Sequence, residues 1–158
     1  VRKEEFERTI FLGFVNVLQS RGSTVALETM RQPGPPFTDI VCRVDGVDTG
    51  FELTVATTES LHESVAIGKA AGGFVGGEAL AAFKSKAIKR YSGFSGPIDL
   101  VIHEGPVADL AFLPLWVDEF RDDVRRAIAS TSFRCVWVVS RDGSTVFARV
   151  SHQDSPPP

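Results

Sequence analysis

The dipeptide Asp45-Gly46 constrains this chain more than any other feature, because Asp-Gly between strand-like runs is the strongest short-range hairpin signal. A two-residue loop there fixes a register. Val44 falls opposite Val47, Arg43 opposite Asp48, Ile40 opposite Phe51, Asp39 opposite Glu52 and Thr38 opposite Leu53. Strand side chains alternate between faces, so Ile40, Val44, Phe51 and Leu53 share one face. Asp39, Arg43, Asp48, Glu52 and Thr54 share the other. A slip of one residue would scramble that separation of apolar from charged positions.

Within this register Arg43 and Asp48 attract, whereas Asp39 and Glu52 repel. Directly opposed side chains have Cβ atoms about 4.5–5.5 Å apart, and like charges there are destabilising. A divalent cation would cancel the repulsion, since hard cations take oxygen ligands. The competing reading is a longer loop with solvated charges on an ordinary half-buried hairpin.

The remaining sequence predicts alternating helices and strands. A helix is expected over 3–21, with Phe6, Ile10, Phe14 and Val17 at helical spacing and Phe11 and Leu18 widening the stripe. Gly22 stops it, and a strand follows over 23–29. The breaker cluster at 32–36 is loop, and the hairpin strands occupy 38–44 and 47–56. Thr57 or Thr58 caps a helical region through Leu61, Val65 and Ala66. Five glycines between Gly68 and Gly77 lack the Gly-Lys-Ser/Thr ending of a phosphate loop, so they read as a kink, close packing or a mobile loop. A helix from Glu78 to Tyr91 places Leu80, Phe83, Ala87, Ile88 and Tyr91 on one face. Strands are expected at 98–103, 134–140 and 145–150, the last two around Asp142-Gly143. Between them, after Pro106, lies an amphipathic helix near 115–130, with Trp116, Val117, Phe120, Val124, Ala127 and Ile128 apolar. Its arginines are diluted by acids, so it reads as solvated and ion-paired.

Length and composition predict one soluble domain over 1–152 and a disordered Pro-rich tail over 153–158. A net charge of −3 and a pI near 5.6 provide no global attraction to nucleic acid. Any such contact falls to the one basic cluster, Lys84, Lys86, Lys89 and Arg90, whose bland reading is a solvated helix end favoured by the helix dipole. Cys42 and Cys135 sit in apolar runs and read as buried thiols of a reducing compartment. No run is long enough to span a membrane, and the start at Val1 reads as part of a longer chain rather than a secretory signal, so a cytoplasmic location is the default expectation. His62, His103 and His152 form no zinc spacing, and Gly-x-Ser-x-Gly is missing. Trp116 and Trp137 read as core.

The element order, with an acid opening the second strand and another in the third, resembles the PD-(D/E)xK nuclease superfamily. The resemblance spans about residues 3–103 and rests on PPFTDIVCRVDGVDTGFELT, KSKAIKRY and PIDLVIH. It implies an α/β fold with a restriction-endonuclease-like αβββαβ core, a central mixed sheet flanked by helices, and here an added C-terminal helix and hairpin. Asp39 matches the family's first acid and Glu52 its second. Pro36 lies three residues before Asp39, where the family often has proline immediately before. The family's lysine, two residues after the second acid, is replaced by Thr54, which carries no charge but can hold a water.

The resemblance further implies Mg²⁺ or Mn²⁺ held by Asp39, Glu52 and the Leu53 carbonyl. An acid of the first helix joins in many members, and Glu7 is the best placed, although acids are favoured in a first helical turn in any case. Lys86 or Lys89, three apart on one helix face, would replace the missing lysine. The expected activity is metal-dependent hydrolysis of nucleic-acid phosphodiesters, with nucleic acid met by the Lys84–Arg90 cluster. The alternative is a nuclease fold without catalysis that serves as a binding or interaction module, including pairing of two copies through an exposed strand. An α/β domain unrelated to nucleases is the third reading.

Overall fold

The structure is a computed structural model that describes residues 2–56, 74–104 and 113–154. Thr57, Thr58, Leu61, His62, Val65, Ala66, the glycines from Gly68 to Gly73, Pro106 and residues 155–158 lie outside the described residues, as does the side chain of Trp116.

The described elements run α1 (Lys3–Ser20), β1 (Val25–Arg31), β2 (Ile40–Val44), β3 (Val47–Ala56), α2 (Phe74–Ala87), β4 (Ile98–Glu104), α3 (Leu113–Ala127), β5 (Cys135–Val139) and β6 (Val146–Ser151). All six strands form one sheet in the order β1-β2-β3-β4-β5-β6. β1, β2 and β3 form an antiparallel meander, β3, β4 and β5 are parallel, and β6 returns antiparallel. The chain is therefore a mixed α/β domain with a central mixed sheet, whose edges are β1 and β6.

The Asp45-Gly46 hairpin forms as its residues dictate. Both residues have positive φ, 51° and 78°, as a primed two-residue turn requires. The observed pairs include Ile40–Phe51, Arg43–Asp48 and Val44–Val47, the register expected from the turn. The Asp45 carboxylate also accepts the Thr24 N–H at 2.8 Å, which ties the turn to the start of β1.

Alternation along the strands sends two sets of side chains to two cores. α1 covers one face, packing Ile10, Phe11, Phe14, Val15 and Leu18 on Ile40, Cys42, Phe51, Leu53, Val101 and Trp137. Phe14 meets Phe51 and Trp137 with centroids 6.3 and 5.0 Å apart. Removing that ring would cost about 3–5 kcal/mol. α2, α3 and the turn after α3 cover the other face through Phe83, Phe120, Val124 and Ile128, packed with Leu100, Ile102, Val136 and Val138. α1 ends in a paired turn around Gly22, with Ser23 N–H donating to Leu18 O and Gly22 N–H to Gln19 O. Gly13 and Gly143 let α1 seat against the β5–β6 loop, since a Cβ on Gly13 would lie 1.9 Å from the Asp142 carbonyl oxygen.

Three expectations need correction. α2 starts at Phe74 and stops at Ala87, four residues short of Tyr91. The Arg90 guanidinium donates to the carbonyls of Ala87 and Lys89, and the chain leaves the helix there. Ile88 is consequently 84% exposed rather than part of the apolar face, while Tyr91 is buried from the following turn. Phe6 is 38% exposed and meets His103 edge-on at the margin of the α1 core. The arginines of α3 pair with acids three residues away, Arg121 with Asp118, Arg125 with Asp122 and Arg126 with Asp123, as expected of a solvated helix face. Both cysteines are buried and outside any disulfide.

Candidate functional site

Strand alternation puts Glu52 on the α2 face of β3, where it is only 1% exposed. The hairpin charges therefore divide, with Arg43 and Asp48 about half exposed and Glu52 enclosed. The β2–β3 ladder stops at Ile40–Phe51, and Asp39 sits one residue ahead of it in a bend. Asp39 is thus not a ladder partner of Glu52, but its side chain still reaches the same place. Its Oδ2 accepts the Leu53 N–H at 2.9 Å, and its carboxyl stands within hydrogen-bonding reach of Glu52. N–H and C=O of one strand residue point the same way, which turns the Leu53 carbonyl toward Asp39 as well.

Lys86 near the end of α2 and Lys89 just beyond it reach back over this pair. Lys89 Nζ lies 2.8 Å and Lys86 Nζ 3.4 Å from Glu52 Oε2. Two of the four charges of the Lys84–Arg90 cluster are therefore turned inward. Arg90 is spent on carbonyls of Ala87, Lys89 and Ser130, and Lys84 is exposed. Tyr91, which helical periodicity placed merely on an apolar face, is a further member of the site. Its ring lies 5.3 Å beneath Lys89 Nζ. Its hydroxyl is buried without a partner at ordinary hydrogen-bond distance, yet faces Glu52. Burial and the Glu52 charge together push the phenol's ionisation up.

These surroundings drive the two acids apart. Burial, then the Glu52 charge, push Asp39 up to about 7. Burial also pushes on Glu52, but the Lys89 hydrogen bond, the Lys86 charge and the Asp39 hydrogen bond outweigh it and hold Glu52 below the usual carboxylate range. The result is an ionised Glu52 beside an Asp39 that carries a proton over much of the neutral range.

Glu7 and Thr54 stand at the margin. Glu7 is 6% exposed on α1, and its charge is felt at both Asp39 and Glu52. Its own carboxylate is paired with Lys3 at 3.3 Å. Burial, only partly offset by Lys3, pushes Glu7 up. Thr54 is half-buried two residues beyond Glu52 on the same face. His103 is buried on the α1 side of β4, where burial keeps it neutral, and His152 is exposed.

The donor set suits a hard cation. It offers two carboxylates and a strand carbonyl, and among the described residues Glu52 Oε1 is buried with no hydrogen-bond partner. A buried unpaired carboxylate oxygen is costly, and a cation or a proton would satisfy it. Among the described residues no three His, Cys, Asp or Glu side chains converge as a ready-made metal cluster. Waters would complete the shell, as Mg²⁺ ordinarily requires. No family model, curated protein or solved structure matches the chain.

Proposed function

We propose that this chain is a metal-dependent phosphodiesterase of the PD-(D/E)xK nuclease kind, with Mg²⁺ or Mn²⁺ held by Asp39, Glu52 and the Leu53 carbonyl. One observation carries the reading: the buried Glu52 is packed against the half-buried Asp39, with Glu52 Oε1 unpartnered among the described residues and Asp39 pushed to about 7. The meander β1–β3 followed by a parallel β4 supports it, since the resembled core has an antiparallel hairpin and a mixed sheet. When bound, the ion would supply Lewis-acid polarisation of a phosphoryl oxygen and a more acidic water.

The chain's own residues do the rest. Asp39 and Glu52 orient the ion, with Leu53 N–H fixing the Asp39 rotamer. Lys89 and Lys86 replace the lysine missing at Thr54 and stand ready to neutralise charge on a phosphate. Thr54 positions water through its hydroxyl. Glu7 supplies negative charge from α1 and becomes a ligand only if Lys3 lets go.

The test is Mn²⁺- or Mg²⁺-dependent cleavage of DNA and RNA by the purified protein. Cleavage is expected to vanish on chelation and in Asp39→Ala and Glu52→Ala. Equal cleavage by either variant would refute the reading. A second reading, a nuclease-like scaffold without catalysis, is favoured by the Glu52–lysine pairing, which already balances the charge without a metal. That scaffold would show no Mn²⁺ binding dependent on Asp39.

A further inference from the structure

A cavity of about 480 Å³ opens at the C-terminal end of α1, on the opposite face of the sheet from Glu52. Glu7 and Arg21 lie near opposite ends of α1, so their backbones are about 20 Å apart along the axis. Its walls combine Phe51 and Trp137 with Arg21, Arg134 and Arg149 and the acids Asp45 and Asp99.

The charges in it are not equally committed. Arg134 donates twice to Asp99, through Nε and Nη2, both at 3.1 Å, and Trp137 Nε1 donates to the same carboxylate at 3.2 Å. Asp45 Oδ1 accepts the Thr24 N–H. Arg21 and Arg149 instead lie over the Trp137 ring, 5.4 and 5.1 Å from its centroid. Arg149 is within Coulombic reach of Asp99, but among the described residues neither arginine makes an ion pair with an acid. Two guanidiniums are thus held over an indole, at the mouth of a cavity, with their hydrogen-bonding forks uncommitted.

A guanidinium fork matches the oxygens of a phosphate, and the cavity is within the usual size range of small-molecule sites. The site is concave and the chain carries a net charge of −3, which suits a small anion better than a polymer backbone. We propose that this cavity binds a small organic phosphate. Arg21 and Arg149 grip the phosphate, and the Phe51–Trp137 wall contacts the organic part. The Asp99–Arg134 pair, already mutually satisfied, completes the lining. The site is independent of the carboxylate pair on the other face.

The experiment is titration calorimetry of the whole chain in buffer containing a chelator. The probes are ribose 5-phosphate, adenosine 5′-monophosphate, inorganic phosphate and a short oligonucleotide without terminal phosphate. Saturable binding of the two organic phosphates is expected, with inorganic phosphate weaker. Loss of a charge-assisted hydrogen-bonding partner should weaken binding about tenfold in Arg21→Ala or Arg149→Ala. Lysine at either position should rescue part of that loss, because it restores charge without the fork. Glu52→Gln should bind as the unaltered chain does, which separates this site from the proposed metal centre. Trp137 emission should change on binding, because the guanidiniums move relative to the ring, and the change should be absent in Trp137→Phe. No heat with any phosphate, binding unaltered in the Arg21→Ala/Arg149→Ala double variant, or binding of the oligonucleotide alone would each overturn the proposal.

Discussion

Asp99 and Glu52 sit on adjacent parallel strands, one step apart in register, and both are at most 2% exposed. They face opposite sides of the sheet and live in opposite ways. Asp99 receives three donors, two from Arg134 and one from Trp137, so both oxygens are satisfied. Burial pushes its carboxyl up, but three donors aimed at it fit the ionised form, and the pairing in turn holds Arg134 up. Glu52 has its lysines on one oxygen only, an acid as neighbour, and a second oxygen with no partner among the described residues. A fully satisfied buried acid is what a stable fold needs. An unsatisfied pair costs stability and is kept where something else completes it.

The largest expected effect separates these two roles. Asp99→Ala leaves the Arg134 guanidinium and the indole N–H without their acceptor. Arg134 is half exposed and regains water, but the buried indole N–H does not, so the change should destabilise the chain by up to about 3 kcal/mol, read as a shift in the denaturant midpoint. The comparison would break if Asp99→Ala were no more harmful than Glu52→Gln.

Next in size is ligand removal. Glu52→Ala should lower Mn²⁺ affinity by more than about 100-fold, the upper end of what merely orienting partners contribute. Asp99→Asn, on the other face, should leave that affinity unchanged. Lys89→Ala should reduce cleavage about 100-fold, the low end for groups that stabilise transition-state charge. Lys86→Ala should cost less, because its ammonium lies 3.4 Å rather than 2.8 Å from Glu52.

The smallest effect is on stability against pH. Asp39 titrates near 7 in the fold and at an ordinary carboxylate value when unfolded. The fold therefore holds a proton that the unfolded chain has released. That contribution is complete in acid and is lost as pH rises through about 7. Asp39→Asn keeps an acceptor for Leu53 N–H without the charge. Its stability relative to the unaltered chain should be unchanged near pH 4, grow from there to about pH 7, and level off above. A flat difference across that range would place the shared proton elsewhere.

The hairpin was legible from Ile40 to Phe51, because one turn fixes that register and the alternation then assigns each side chain to a face, whereas the expected Thr38–Leu53 and Asp39–Glu52 pairs lie beyond the end of the ladder. Helical spacing put Lys86 and Lys89 on one side, but Lys89 lies two residues beyond α2 and nothing in the spacing shows that both reach Glu52. The Lys3–Glu7 pair, four apart, was readable from its spacing and competes with the metal role expected of Glu7. Other features were not local. Asp99, Arg134 and Trp137 are brought together by pairing of β4 with β5 across a long connection. Tyr91 belongs to a turn, so helical periodicity assigned it to an apolar stripe that ends before it. The end of α2 depends on Arg90 capping its carbonyls, which propensity alone does not reveal.

The most direct test is Mn²⁺ titration at pH 6.5 in two buffers of different ionisation enthalpy. A cation that replaces the proton shared by Asp39 and Glu52 must release it. The account predicts one site, release of close to one proton, and loss of both heat and proton release in Glu52→Gln. Binding without proton release, or identical binding in Glu52→Gln, would contradict it.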